Sequence, residues 1–285
     1  MPLLLLVSFI WAFSFGLIKR LSGLDSSFIS AVRLGLALLV FLPFLRLRGI
    51  TLRLAFTLIG IGAVQFGLMY LAYNQSFKYL PAHEVALFTL TTPIFVTLFA
   101  DALERSFRLR ALLAALLAVA GAAIVITKSM VTTTSLTGFG FVQLSNGAFA
   151  IGQVLYRRQR LCSPGLNDRQ VFALLYAGGF AVTAPLMLAQ TDFSALALAQ
   201  SQIWTLLYLG VIASGVCFFL WNLGTTRVSA ATLAVFNNAK VPLAVACSLL
   251  FFGENTNLPR LLIGGALLIA AIALAQKAKA ELYGK

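Results

Sequence analysis

Acidic residues are scarce in this chain: its 285 residues include eight Asp and Glu, one His and three Cys. Hydrolysis or group transfer needs a paired nucleophile and base or clustered carboxylates, and the sequence offers neither. No metal-type spacing of Cys or His occurs, so neither a metal nor a disulfide is expected from Cys162, Cys217 and Cys247. A Walker-type glycine loop is missing too, so ATP is not a direct energy source and no cofactor is expected. Long hydrophilic stretches are equally absent. The longest, Arg157 to Arg169, covers only a loop and leaves no room for a water-soluble domain. Charged residues make up 10% of the chain, against roughly 25% in a typical soluble domain.

What fills the chain instead is apolar: 60% of residues are hydrophobic and the mean hydropathy is +0.95. A bilayer core of about 30 Å needs about 20 apolar residues per helix. Candidate spans lie near residues 2–18, 28–45, 54–77, 82–102, 109–126, 137–156, 171–189, 203–224, 230–252 and 259–276. The expected fold is therefore an all-α integral membrane protein of ten transmembrane helices. The first segment lacks a basic leader and a convincing cleavage site, so it reads as a retained helix.

The net charge of +13 does not call for nucleic acid, because the cations concentrate in alternate loops. Arg46, Arg48, Arg53, Arg105, Arg108, Arg110, Arg157, Arg158, Arg160, Arg169 and Arg227 fall on one side with Lys277, Lys279 and Lys285 of the tail. The other side has Lys19, Arg20, Lys78, Lys128 and Arg260. Both termini are expected in the cytoplasm, in a multi-pass protein of the cell membrane. Asp101 and Glu104, beside Arg105 and Arg108, are expected to form a solvated charged rim.

The two halves echo each other. Tyr73-Asn74 aligns with Trp221-Asn222 and Phe88 with Phe236 at an offset of 148 residues; Pro93 then matches Pro242 and Glu104 matches Glu254. Five spans is an odd number, so the second copy must insert upside down relative to the first, a symmetry typical of transporters with a midplane site. The expected units are a first five-helix repeat over 1–127, a second, inverted repeat over 137–276, and a basic cytoplasmic tail over 277–285.

Several of these residues form a familiar pattern. Trp11-x-x-Phe-Ser-Phe-Gly, Phe28-x-x-x-x-Arg33-x-x-x-Ala37, and Pro93 followed by Glu104 and Gly121 resemble EamA-type members of the drug/metabolite transporter superfamily. Phe236-Asn-Asn-Ala-Lys-Val-Pro242, Glu254 and Gly264-Gly265 resemble the second EamA repeat. The resemblance implies a 5+5 inverted-repeat carrier whose central cavity is lined mainly by spans 1, 3, 4, 6, 8 and 9. It also implies a small-metabolite substrate, with amino-acid export or exchange as the expected activity. Efflux of lipophilic cations is the alternative, and a non-transporting scaffold a remoter one.

Within the spans, Lys240 is the sharpest clue. It lies about ten residues into its span, hence about 15 Å deep, where a charge is costly and normally faces a cavity or a partner. Its ammonium suits a substrate carboxylate or another anion. Thr232, Phe236 and Lys240 are spaced to share one helical face, opposed by Glu84, Phe88 and Thr92. Asn237, Tyr70, Tyr73, Gln65 and Asn222 complete the expected substrate-binding set, with Asn146 and Gln153 among further polar groups. Glu84 and the single His83 are candidates for proton coupling. Pro93 and Pro242 are candidates for gates or hinges, and Arg33 for a structural charge that snorkels or pairs. The lipid bilayer and a small molecule are the expected partners, and oligomeric state is left open.

Overall fold

The structure is a computed structural model that describes residues 1–21, 23–80, 82–126, 135–243 and 258–283. The described residues form helices and connecting turns, with no strand among them. Helices α1 (Pro2–Ile18), α2 (Ser26–Phe41), α3 (Leu52–Ser76), α4 (82–104), α5 (Leu109–Ile126), α6 (Leu136–Cys162), α7 (Asp168–Gln190), α8 (Gln200–Thr225) and α9 (Ala230–Phe236) are followed by α10 (Leu258–Tyr283). After α9 the chain turns at 237–239 and is helical again over 240–243. Glu254 and Cys247, and the side chain of His83, lie outside the described residues.

Among the described residues, six helical stretches are long and apolar enough to cross a membrane: Ser26–Phe44, Leu52–Ser76, Glu84–Glu104, Asp168–Gln190, Gln200–Thr225 and Pro259–Lys277. Pro2–Ala12 and Leu109–Ile124 are apolar but shorter. The long α6 carries Gln143, Asn146 and Gln153, which lower its hydropathy, and Asn146 and Gln153 are buried in the protein. Helix starts are fixed locally. Asp25 Oδ1 accepts from the amides of Ser27 and Phe28, Thr51 caps α3, Ser135 caps α6, Asn167 caps α7 and Ser229 caps α9, each satisfying amides that a helix leaves unpaired at its start.

Four helices depart from regular α geometry or come close to doing so at related places. α3 contains a π segment, Ala63–Leu68, and α8 contains another, Tyr208–Val216; regular helix resumes at Met69 and at Cys217, an offset of 148. α4 tightens to a 3-10 turn at Thr89–Thr91, and the turn after α9 occupies 237–239, again 148 residues on. The two breaks touch: Asn238 Nδ2 donates to the carbonyl of Leu90 at 2.9 Å.

Packing follows the same pairing. α2 lies against α7, α4 against α9 and α5 against α10, while α3 meets α6 and α8 meets α1. α5 buries a stripe of small residues, Ala111, Ala114, Ala115, Ala118 and Ala122. That lets it approach α10 so closely that a Cβ on Gly121 would sit 2.9 Å from the Gly264 carbonyl. α3 and α7 cross nearer still: a Cβ on Gly62 would lie 1.8 Å from the Leu175 oxygen, and one on Gly178 1.9 Å from the Ile59 oxygen. Only glycine fits there. Between α2, α3, α7 and α8 an aromatic core forms, with Phe66 stacked on Phe218 at 4.8 Å and on Tyr176 at 5.3 Å.

The expected charged rim is corrected by its geometry. Asp101 is buried, accepting from the Arg108 amide at 2.9 Å and pairing with its guanidinium at 2.6 Å. The left-handed Arg105, at φ 49°, turns the chain so that Arg108 folds back over the end of α4. Glu104 is the exposed member, paired with Arg108 at 2.7 Å. At the end of α6, Arg160 pairs with Asp168 at 2.7 Å, and the Tyr156 hydroxyl donates to the same carboxylate.

Candidate functional site

A partly open cavity of about 130 Å³ lies among six helices and the short helical stretch 240–243. Trp11 comes from α1, Arg33 from α2, Met69, Tyr70 and Tyr73 from α3, and Thr89 and Thr92 from α4. α6 adds Ser145, Asn146 and Phe149, α8 adds Leu209, Ala213 and Phe218, and Lys240 closes the wall. The walls are mostly aromatic and aliphatic, with a few convergent polar groups, the usual build of a small-molecule site.

Among the described residues, two cations line this space and no Asp or Glu does. Lys240 makes no ion pair or hydrogen bond among the described residues; its ammonium lies 5.9 Å from the centroid of the Trp11 ring. The Trp11 ring is itself fixed by its indole N–H, which donates to the Ala213 carbonyl at 2.8 Å. Arg33 is buried, with its guanidinium carbon 4.4 Å from the Tyr70 ring centroid and its Nε donating to Ser214 Oγ at 3.1 Å. It pairs with no carboxylate among the described residues. Positive charge in a low-dielectric space with no internal partner favours an anion arriving from outside.

The π segment of α8 creates the Arg33 support. Widening the helix lets Ser214 Oγ donate to the Leu209 carbonyl five residues back, at 2.7 Å. The same oxygen stands 2.9 Å from the Tyr70 hydroxyl. Behind it, Tyr176 donates to the carbonyls of Ser214 and Gly215.

On one side the cavity floor is a layer of buried amides. Trp221 Nε1 donates to Gln153 Oε1 at 2.9 Å, Gln153 Nε2 to Asn237 Oδ1 at 3.4 Å, and Gln65 Nε2 to Asn222 Oδ1 at 3.1 Å. These five side chains are almost completely buried. On α3 the cavity residues follow Gln65, on α6 they precede Gln153, on α8 they precede Trp221, and Lys240 follows Asn237. The layer therefore closes one end of the cavity on all four helices.

The structure brings together in the cavity Lys240, Thr92, Tyr70, Tyr73, Arg33, Asn146 and Trp11 from the residues singled out in the sequence. It puts Gln65, Asn222 and Asn237 in the amide layer instead. Phe236 is buried in the core beside Trp221, and Phe88 packs edge-on against Phe139 at 5.1 Å. The stripe of Thr232, Phe236 and Lys240 is corrected: the turn at 237–239 interrupts the helix, so Lys240 is not in register with Phe236. α2 joins the lining spans through Arg33. Pro93 and Pro242 sit just after the two breaks. Glu84 is buried outside the cavity lining, and its Oε2 has no hydrogen-bond partner among the described residues. Sequence reasoning missed Met69, Thr89, Ser145, Phe149, Phe218, Leu209, Ala213 and Ser214. Only a correct helical register for α8 would have found the last three, and the π segment shifts that register.

The chain matches the model of the EamA-like transporter family over residues 1–127 and 144–276. A probable biotin transporter of Pseudomonas aeruginosa is 43% identical over 275 residues, covering 95% of this chain and 96% of that protein. Biotin transporters of Salmonella typhimurium and Escherichia coli are 39% and 38% identical over 275 residues, covering 95% of this chain and 91% of each of theirs. A solved crystal structure superposes with a TM-score of 0.77 at 17% identity over 96% of each chain, a likeness of fold.

Proposed function

We propose that this chain, which belongs to the EamA-like transporter family, carries biotin or a closely similar carboxylate across the cell membrane. The observation that carries the reading is the cavity with two cations, Arg33 and Lys240, and no acidic lining residue among the described residues. Biotin is a carboxylate joined by an aliphatic chain to a fused apolar and cyclic-urea head. An ammonium for the carboxylate and aromatic walls for the chain match it. The relatives' names favour the same molecule. Amino-acid export, expected from the family resemblance, finds no support in those names, and lipophilic cations would meet two like charges in the cavity.

The transport reading is alternating access between two inverted five-helix repeats, 1–127 and 137–276, with ten spans and a cytoplasmic tail over 277–285. Recurrence of the π segments and of the breaks at 148 residues supports it. So does the hydrogen bond from Asn238 to Leu90, its own counterpart in the other half, which is what residues on a two-fold axis would make. The loop cations support cytoplasmic termini. In that orientation the cavity is open to the outside and the amide layer is the inner closure. Glu84, with an unpartnered buried oxygen near the outer face, is the proton-coupling residue we favour, with His83 beside it in sequence.

Uptake of labelled biotin by cells lacking their own carrier tests the reading. Expression of this chain is expected to restore saturable uptake, and uptake no higher than in the empty host would refute biotin as the substrate.

A further inference from the structure

We infer that Arg33, Tyr70 and Ser214 form a second recognition point in the cavity, one that reads a cyclic urea or another group with a carbonyl oxygen beside an N–H. The inference rests on the carboxylate reading above and deepens it: Lys240 takes the charged end of the substrate, and this cluster takes the neutral polar end.

Proton placement carries the argument. The Ser214 hydroxyl has one proton, and the Leu209 carbonyl receives it at 2.7 Å. Ser214 Oγ is then an acceptor toward both other neighbours, the Arg33 Nε–H at 3.1 Å and the Tyr70 hydroxyl at 2.9 Å. Tyr70 has therefore committed its own proton to Ser214, and its phenolic oxygen keeps lone pairs for an incoming donor. Arg33 has committed only Nε. Its terminal nitrogens keep their N–H groups, in a plane held against the Tyr70 ring at 4.4 Å. Both residues line the cavity.

The result is a fixed donor beside a fixed acceptor. A carboxylate satisfies the donor and repels the phenolic lone pairs, because it has no N–H to offer. A urea satisfies both, with its carbonyl accepting from the guanidinium and its N–H donating to Tyr70. Ser214 touches no substrate here; it is a positioning residue, held in place by the π segment of α8.

The test is competition in proteoliposomes. Exchange of labelled biotin is measured in the presence of unlabelled biotin, desthiobiotin (which keeps the cyclic urea) or octanoate (a carboxylate without it). For the native protein we expect both urea compounds to compete at least tenfold better than octanoate. In Arg33→Lys, Tyr70→Phe and Ser214→Ala, competition by the urea compounds should weaken about tenfold or more while that by octanoate stays unchanged, so the preference collapses. A variant that is merely misassembled would lose both equally, leaving the ratio intact. An unchanged ratio in all three variants overturns the urea subsite while leaving biotin transport standing. Native protein that exchanges no biotin overturns both readings.

Discussion

An ammonium at the middle of an apolar bundle costs about 2.5 to 3.5 kcal/mol on insertion scales, and Lys240 has no internal partner among the described residues to offset it. The account assigns that cost to substrate binding. Lys240→Ala is therefore expected to lower biotin uptake at least tenfold with membrane levels of the protein unchanged; native-like uptake would remove the lysine from the mechanism. Glu84 stands differently, since its buried Oε2 faces no donor. Glu84→Gln is expected to abolish the stimulation of uptake by an inward proton gradient while leaving exchange at equal pH intact. A gradient response that survives assigns coupling elsewhere. Lys240, Arg33 and Thr92 were legible in the sequence, because charge and paired polar groups stand out in apolar spans. Ser214 was not: a serine between Ala213 and Gly215 in a hydrophobic run looks like packing until the π segment turns it toward Arg33 and Tyr70.

At the scale of elements, the positions of the helices were legible from apolar length. The register beyond a break was not. A 3.6-residue repeat projected through 237–239 put Phe236, Asn237 and Lys240 into one site, whereas the turn sends the first into the core, the second into the amide layer and only the third into the cavity. That layer makes its own expectation. Gln153→Ala removes the acceptor for Trp221 and the donor to Asn237, and each buried group left unpaired costs about 1–3 kcal/mol. The closed end should loosen. A cysteine placed at Thr92 is expected to become reactive to a membrane-impermeant thiol reagent from the cytoplasmic side in Gln153→Ala and to stay protected there with Gln153 present; protection in both would mean that the layer is not the closure. Close helix crossing gives a second expectation. Gly178→Val forces side-chain atoms against the α3 backbone near Ile59, and such overpacking costs about 1–3 kcal/mol. Thermal unfolding in detergent should shift down accordingly, and an unchanged midpoint would contradict the contact.

For the whole molecule, duplication was legible in Tyr73-Asn74 against Trp221-Asn222, and the irregularities of α3, α4, α8 and the turn after α9 repeat at the same offset. In the proposed inverted-repeat reading, two copies of one packing arrangement, related by an axis through the Leu90 and Asn238 breaks, would give two closures of similar energy at opposite ends of one cavity. Substrate identity was not legible, because the charge of the cavity depends on which side chains converge, and Arg33, which reads as a structural charge in the sequence, pairs with no carboxylate among the described residues. The central claim is that this dicationic cavity carries biotin. It is tested most directly by counterflow of labelled biotin into proteoliposomes loaded with unlabelled biotin. The account expects saturable accumulation that is lost when Lys240→Ala is reconstituted at the same density, and tracer entry no faster than in protein-free liposomes would contradict it.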